Sequence, residues 1–255
     1  MLNDKIVLIT GASRGIGAEM ARVFAQNGAT VAVNYYQSKD KAQKLCEEIV
    51  ESGGQAAPFY ADVTSSQDVN NMVEQISGHF GDADVLVNNA LPSYKFDPAQ
   101  RYTSIETIKW EDFESQYQGA IRGAFNCVQA VLPGMKRKQS GRILNISTNL
   151  VYNPVVTYYD YTTAKSGLIG LTRNLAAELG QYGITVNLLA GGLISETDAS
   201  KAGGKEIFDT VAGLSPLKKV VTTEEFARSA LFFASDLSEV VTGQSLSVDA
   251  GLTMP

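Results

Sequence analysis

Apolar, β-branched runs recur along the chain and alternate with longer segments whose apolar residues return every three or four positions. Residues 5 to 10 (KIVLIT), 29 to 35, 56 to 62, 84 to 90, 141 to 147, 184 to 190 and 244 to 250 have the composition of strands. Residues 17 to 28, 39 to 52, 66 to 80 and 166 to 182 have helical periodicity. Near-continuous apolar strands separated by amphipathic helices make a parallel sheet with helices on both faces, because each strand must be covered above and below. The expected fold is therefore α/β, a doubly wound parallel sheet of seven strands. No Pro/Ser-rich linker, charge block or repeat interrupts the pattern, so residues 1 to 255 form one domain in this reading. The longest irregular stretches, 91 to 108 and 191 to 215, each follow a strand. In open parallel sheets ligands bind beyond the carboxyl ends of strands, so both stretches are expected to wall a substrate cleft.

Composition narrows the function. The chain carries 44% hydrophobic residues, 23 glycines and a net charge of -6. No apolar run approaches the roughly 18 residues of a membrane span, and the amino terminus leads straight into a strand, so a cytoplasmic protein is expected. An acidic chain lacks the field that phosphate backbones require, which excludes nucleic acid as partner. Cys46 and Cys127 lie far apart, and His79 has no second histidine, so neither a disulfide scaffold nor a metal site is expected. His79 and the Lys136-Arg137-Lys138 run are assigned to solvated helix ends, and Trp110 and Phe113 to packing at a helix start.

Candidate chemistry begins at TGASRGIG, residues 10 to 17, where the first strand turns into a helix. Gly11 permits the tight turn, Gly15 lets backbone approach a pyrophosphate, and Gly17 lets helix and strand pack closely. Helix N–H groups then face the phosphates, the arrangement of a Rossmann dinucleotide site. Chains selective for NAD carry an acid about 20 residues on, which holds the ribose 2′-hydroxyl. Here the second strand ends in Asn34-Tyr35-Tyr36-Gln37-Ser38-Lys39, with no acid before Asp40. Arg14 with Ser38 or Lys39 would meet a 2′-phosphate, so NADP(H) is the expected cofactor, ahead of NAD(H). A second signal is YYDYTTAK, residues 158 to 165: of its three tyrosines only Tyr161 has a cation at i+4, Lys165. A nearby ammonium lowers a phenol's pKa, which suits Tyr161 to acid/base work, although an ordinary solvated helix pair has the same spacing.

Taken together these motifs resemble the short-chain dehydrogenase/reductase family. The resemblance rests on TGASRGIG, Asp62-Val63, NNAL (88 to 91), GRILNIST (141 to 148), YTTAK (161 to 165), AGGLI (190 to 194) and the closing VDAGLTMP, all in order from residue 4 to 255. Within the family the chain is most similar to 3-oxoacyl-[acyl-carrier-protein] reductases, enzymes of fatty acid biosynthesis. The resemblance implies hydride transfer between a nicotinamide and a carbonyl or alcohol carbon. Tyr161 would act as proton donor, Lys165 would lower its pKa and bind the nicotinamide ribose, and Thr148 would orient the carbonyl. Cofactor contacts fall on Gly11, Ser13, Arg14, Gly15, Ile16, Gly17, Tyr36, Ser38, Asp62, Val63, Asn89, Tyr161, Lys165, Gly192 and Ile194. The family's assembly implies a homotetramer built on helices around residues 112 to 136 and 164 to 180.

Four residues depart from the family's pattern. Thr148 stands where a serine is usual, with Ser147 expected to point the other way. Ala120 stands where an asparagine holds a relay water, with Gln116 as a possible substitute. Leu91 adds bulk beside the cofactor, and Gly191 replaces a proline, which is expected to loosen a loop. For substrate the resemblance implies a 3-oxoacyl thioester. A carrier protein would dock on Lys136 to Lys138, but Gln139, Gln181 and Tyr182 give no charge there and the chain is acidic, so a small free ketone or aldehyde is the alternative. Tyr94, Tyr102, Tyr152, Tyr158 and Tyr159 either face that substrate or pack under the loops. Residues 202 to 206 suit either a lid or a tip without a role. A cofactor-binding protein without turnover is the second class of function consistent with Ala120 and Leu91.

Overall fold

The structure, a computed structural model, describes all residues except 92 to 103, 196, 198, 199 and 201 to 203. Seven parallel strands form one sheet: β1 (Ile6–Ile9), β2 (Thr30–Tyr35), β3 (Gln55–Tyr60), β4 (Val85–Asn88), β5 (Gly141–Thr148), β6 (Ile184–Gly191) and β7 (Ser245–Val248). Their order, β3-β2-β1-β4-β5-β6-β7, reverses between β1 and β4. That reversal is the topological switch point, where connections leave in opposite directions and open a crevice at the carboxyl ends.

The strand pattern explains the two cores. Within β1, Val7 and Ile9 face one side while Leu8 faces the other, and all three are fully buried. The first face is covered by α1 (Gly15–Gln26), α2 (Lys39–Glu51) and a late helix, Thr223–Ala234, which packs closely on α1. The second is covered by α3 (Ser66–His79), α5 (Gly123–Lys138) and α6 (Tyr159–Leu179). Between α3 and α5 lies α4 (Trp110–Tyr117), joined to α5 by a π-helical turn, Gln118–Arg122. The sheet, its strand count and its two-sided cover agree with the expected fold, with strand ends moved by a residue or two.

The exceptions lie outside the strands. The stretch 191 to 215, expected to be irregular, contains helix α7 (Gly204–Leu214), followed by α8, the Thr223–Ala234 helix already named. Helix α6 begins at Tyr159, seven residues before the periodic segment at 166. Trp110 does not pack the start of α4 into the core: it is 70% exposed and stacks on Phe113, ring centroids 5.9 Å apart. His79 is exposed at the end of α3, as expected. Tyr94, Tyr102 and residues 202 and 203 lie outside the described residues, while 204 to 206 begin α7. Among the described residues no helix is long and apolar enough to cross a membrane.

Candidate active site

At the switch point the chain knots the ends of β1, β2 and β4 together through side chains. Thr10 Oγ1 accepts from the N–H groups of Asn89 (2.9 Å) and Ala90 (3.0 Å) and donates to the Val87 carbonyl (3.2 Å). Asn89 Nδ2 donates back to the carbonyls of Thr10 and Gly11, at 2.9 and 3.2 Å. The Gly11 N–H donates to Asn34 Oδ1 at 2.9 Å, and Asn34 Nδ2 reaches the Ala61 carbonyl at 3.2 Å. Buried polar side chains thus satisfy the backbone of a turn that apolar strands could not.

This turn fits a dinucleotide. Gly11 and Gly15 adopt φ of 61° and 57°, the left-handed region that favours glycine, and a Cβ on Gly15 would meet nothing within 4 Å, leaving backbone open to a ligand. The α1 N-cap, Arg14, makes no side-chain cap, and the first turn holds no acid, so its N–H groups and dipole are not spent on the protein's own carboxylates. Ser13 is half-buried, and Ile16 packs on the core beneath the loop. Gly17 is the tightest point: a Cβ there would lie 2.6 Å from Asn89 Nδ2 and 2.9 Å from the Gly11 carbonyl oxygen. Gly17→Ala is therefore expected to lower Tm and to weaken nicotinamide-cofactor binding at least tenfold. Helix propensity alone, worth about 1 kcal/mol in favour of alanine, gives the opposite sign. Thermal unfolding and a cofactor titration of the variant separate the two.

The ends of β2 and β3 bring further candidates to the same edge. Tyr36 is 52% exposed, and its ring lies 6.1 Å from Tyr60, which also meets Tyr35 at 6.0 Å. Ser38 is the N-cap of α2 but its hydroxyl caps nothing. Asp62 Oδ1 is held by Thr64, through its N–H at 2.9 Å and its hydroxyl at 2.7 Å. The Val63 carbonyl accepts from Asn126 Nδ2 at 2.9 Å, which fastens this turn to α5.

The end of β5 and the first turns of α6 unite the acid/base candidates. The Thr148 side chain is hydrogen-bonded to Tyr161 and also accepts from the Leu150 N–H at 3.3 Å. The Ser147 hydroxyl is spent elsewhere, donating to the Lys165 backbone carbonyl at 3.2 Å. The one-residue offset between the two is therefore resolved as the strand alternation requires. Lys165 is 4% exposed, and its Nζ donates to the Ile146 carbonyl at 2.8 Å. Burial pushes the Lys165 ammonium down to about 8. Burial also pushes the Tyr161 phenol up to about 12, against a smaller lowering by the Thr148 hydrogen bond. The expected lowering of Tyr161 by Lys165 is thus absent in the protein alone: desolvation outweighs it, and the ammonium is held on Ile146.

Behind these groups, β6 and the carboxyl terminus are tied together. Gly191 does not loosen a loop, contrary to expectation. It is the buried last residue of β6, paired with Thr148, and Ile194 and Phe226 stand 2.9 and 3.0 Å from where its Cβ would be. Gly192 is equally tight, 2.7 Å from Asp249 Cβ. Asp249 in turn accepts from Asn149 Nδ2 (3.0 Å) and the Thr253 hydroxyl (2.6 Å), so the VDAGLT segment braces the end of β5. Ile194 is buried and bridges to Val221.

The two remaining departures also have a structural outcome. Leu91 is 38% exposed rather than buried in the crevice. Ala120 sits in the π-helical turn, lining a small cavity beside Lys165. Gln116, offered as its substitute, is buried in α4 and is not among the described residues lining that cavity. Tyr152 packs against the core rather than standing in a cleft. Sequence reasoning missed Thr10, Asn88, Asn145 and Asp249. Their common signal is a polar residue inside an otherwise apolar strand or its end.

A residue pattern of this length can be compared with known proteins. Residues 11–253 match the family model described as enoyl-(acyl carrier protein) reductase. A 3-oxoacyl-[acyl-carrier-protein] reductase of Staphylococcus epidermidis is 36% identical over 253 residues, covering 98% of this chain and 100% of that one. The crystal structure of a 3-oxoacyl-[acyl-carrier protein] reductase from Brucella melitensis superposes with a TM-score of 0.90 at 32% identity, covering 100% of this chain and 93% of that one. A gluconate 5-dehydrogenase from Burkholderia cenocepacia, solved with NADP and tartrate, superposes with a TM-score of 0.88 at 29% identity, covering 98% and 96%. With its motifs, its sheet order and its full-length relatives in agreement, the chain belongs to the short-chain dehydrogenase/reductase family, as an oxidoreductase acting on CH–OH and C=O groups with a nicotinamide cofactor.

Proposed function

We propose that the protein reduces the ketone of a 3-oxoacyl thioester to a 3-hydroxyacyl thioester with NADPH. The observation that carries this reading is the Thr148–Tyr161 hydrogen bond at the carboxyl end of β5, with Lys165 buried one turn along α6. A bound nicotinamide cofactor would supply the hydride. Thr148 would orient the carbonyl oxygen toward Tyr161, whose phenol, held protonated by burial, would give its proton to the oxygen as negative charge develops. Lys165, charged below about 8, would place its ammonium near that charge. The glycine loop with Ser13, the Arg14 to Gly17 segment, Asp62, Val63 and Asn89 would hold the dinucleotide. Gly192 and Ile194 would flank its nicotinamide end.

The 2′-phosphate choice rests on the neutral end of β2: Tyr36, Ser38 and the exposed Arg14 present no carboxylate to repel it. The neighbour solved with NADP supports the same choice. The thioester follows from the relatives' names, but a protein carrier is a weaker partner for this chain. Arg137 pairs with Asp82 at 2.8 Å and Lys138 with Asp84 at 2.7 Å, while Lys136 lies over the Tyr182 ring at 4.4 Å. Those cations are engaged within the molecule, which favours a free thioester or a small free ketone over docking of an acidic carrier. A homotetramer through α4, α5 and α6, with exposed Trp110, Tyr117 and Phe125 on the first two, and a cytoplasmic setting complete the proposal.

Fluorescence titration with NADPH and NADH, followed by acetoacetyl thioester and simple ketones, tests it. NADPH should bind at least tenfold tighter and be oxidised by the thioester. Tight binding without turnover across the panel would make this a cofactor-binding protein. Binding of neither nucleotide would overturn the reading.

A further inference from the structure

The small residues of the π-helical turn leave a cavity in the middle of the molecule, under α6 and against the ends of β1 and β4. It is lined by Thr10, Asn88, Gly119, Ala120, Gly123 and Lys165, among others, and has room for about one water molecule. Two of these lining residues have unused bonding capacity. Asn88 is 7% exposed, and its Oδ1 has no hydrogen-bond partner among the described residues. Lys165 Nζ carries three donors, of which the Ile146 carbonyl takes one.

In the structure Asn88 ends a row of hydrogen-bonded side chains. Asn145 Nδ2 donates to Thr172 Oγ1 at 2.9 Å, and Asn88 Nδ2 donates to Asn145 Oδ1 at 2.9 Å. With Asn145 oriented in this way, turning the Asn88 amide over would set two amide oxygens together. A row of three buried side chains therefore runs from α6 through β5 to β4 and ends in an acceptor at the cavity that Lys165 also lines. Leaving a buried acceptor unsatisfied costs about 1–3 kcal/mol, whereas a polar cavity with two partners holds a water.

We propose that Asn88 is a positioning residue for Lys165, acting through one water molecule that donates to Asn88 Oδ1 and accepts from the Lys165 ammonium. Ala120 is what makes this possible: a longer side chain at that place would fill the water's space. The water fixes the ammonium and offsets part of its desolvation, so Lys165 keeps its charge to higher pH. The proposal rests on Lys165 serving the reductase site. Among the described residues the cavity lining holds no titratable group other than Lys165, and Tyr161, bonded to Thr148 of β5, lies one turn away on the same helix.

Two variants attack the water from opposite sides. Asn88→Leu removes its acceptor, and Ala120→Val fills its space while leaving the Asn88–Asn145–Thr172 row intact. NMR titration of lysine-labelled protein should show the Lys165 pKa lowered by about one unit in each, the worth of one hydrogen bond to a charge. The double variant should shift it no further, and the alkaline limb of the carbonyl-reduction profile should move with it while KM stays put. A crystal structure of the wild type should show the water within hydrogen-bond distance of both atoms. An empty cavity, an unchanged Lys165 pKa in Ala120→Val, or additive shifts in the double variant would overturn the proposal. If Asn88→Leu fails to fold, Ala120→Val and the crystal structure decide. A wild type that holds the water and titrates as expected but reduces no carbonyl would sink the reductase reading and leave the water site standing.

Discussion

Tyr161→Phe is expected to lower kcat for carbonyl reduction by about 10³-fold, within the 10²–10⁴ range of general acid/base groups, while nicotinamide-cofactor binding stays within about threefold of wild type. The change removes one hydroxyl and keeps the half-buried ring, so packing is preserved. What is lost is the proton donor and the hydrogen bond to Thr148, whose oxygen keeps the Leu150 N–H as a partner. Stability should therefore change little. Stopped turnover with intact cofactor affinity separates proton transfer from binding. A variant that still reduced carbonyls at more than a tenth of the wild-type rate would remove Tyr161 from the chemistry. The high position of the phenol adds a directional expectation. With its pKa up near 12, Tyr161 is already the acid that reduction needs, whereas alcohol oxidation needs the phenolate and should be the weaker direction at neutral pH until a bound cofactor lowers that value.

Lys165→Met should abolish turnover and yet unfold at a higher temperature than wild type. The lysine is buried, its ammonium donates to the Ile146 carbonyl, and its pKa falls from the ordinary 10.5 to about 8. Between those values the unfolded chain binds the proton more readily than the folded one, so wild-type stability rises with pH across this window. The penalty is complete below about 8 and gone above 10.5. The Met variant, matched in length and apolar, escapes it. Its advantage should be largest at neutral pH, at roughly 2–4 °C in Tm for each kcal/mol relieved, and should vanish toward pH 10.5. Thermal unfolding from pH 7 to 10.5 measures this directly. Saturating nicotinamide cofactor should stabilise the wild type more than the variant, because the cofactor's ribose hydroxyls would give the ammonium partners. A variant less stable than wild type at pH 7 would mean that the charge is already well compensated.

The two residues show why parts of this protein were legible in sequence and parts were not. Tyr161 and Lys165 are one helical turn apart, so spacing alone brings them to one face. Their ionisation is set by burial against β5, which spacing does not contain, and it inverted the expected effect of the lysine on the tyrosine. Gly11, Gly15 and Gly17 were readable because only glycine tolerates those dihedrals or that closeness, and the constraint is local. Gly191 misled for the opposite reason: the missing proline suggested a loose loop, but Ile194 and Phe226 hold the residue as the end of a buried strand. Asn88, Asn145 and Asp249 carried only the faint mark of polar residues in apolar surroundings, and their partners lie 57, 27 and 100 positions away in the chain.

By itself, then, the sequence determined the order and type of the strands, the glycine-rich turn after the first of them, and the placement of Tyr161 and Lys165 one turn apart on a single helix. Each depends on residues near one another along the chain, through period, dihedral preference or one helical turn. Tertiary structure alone decided where Ser147 and Thr148 send their hydroxyls, how far burial moves Tyr161 and Lys165, and that Arg137 and Lys138 are bound to Asp82 and Asp84. It also set Asn88 beside Lys165 across the space that Ala120 leaves. Those outcomes depend on distances between segments far apart in the chain, and on the low dielectric that exists only once the sheet and both helix layers have closed around them.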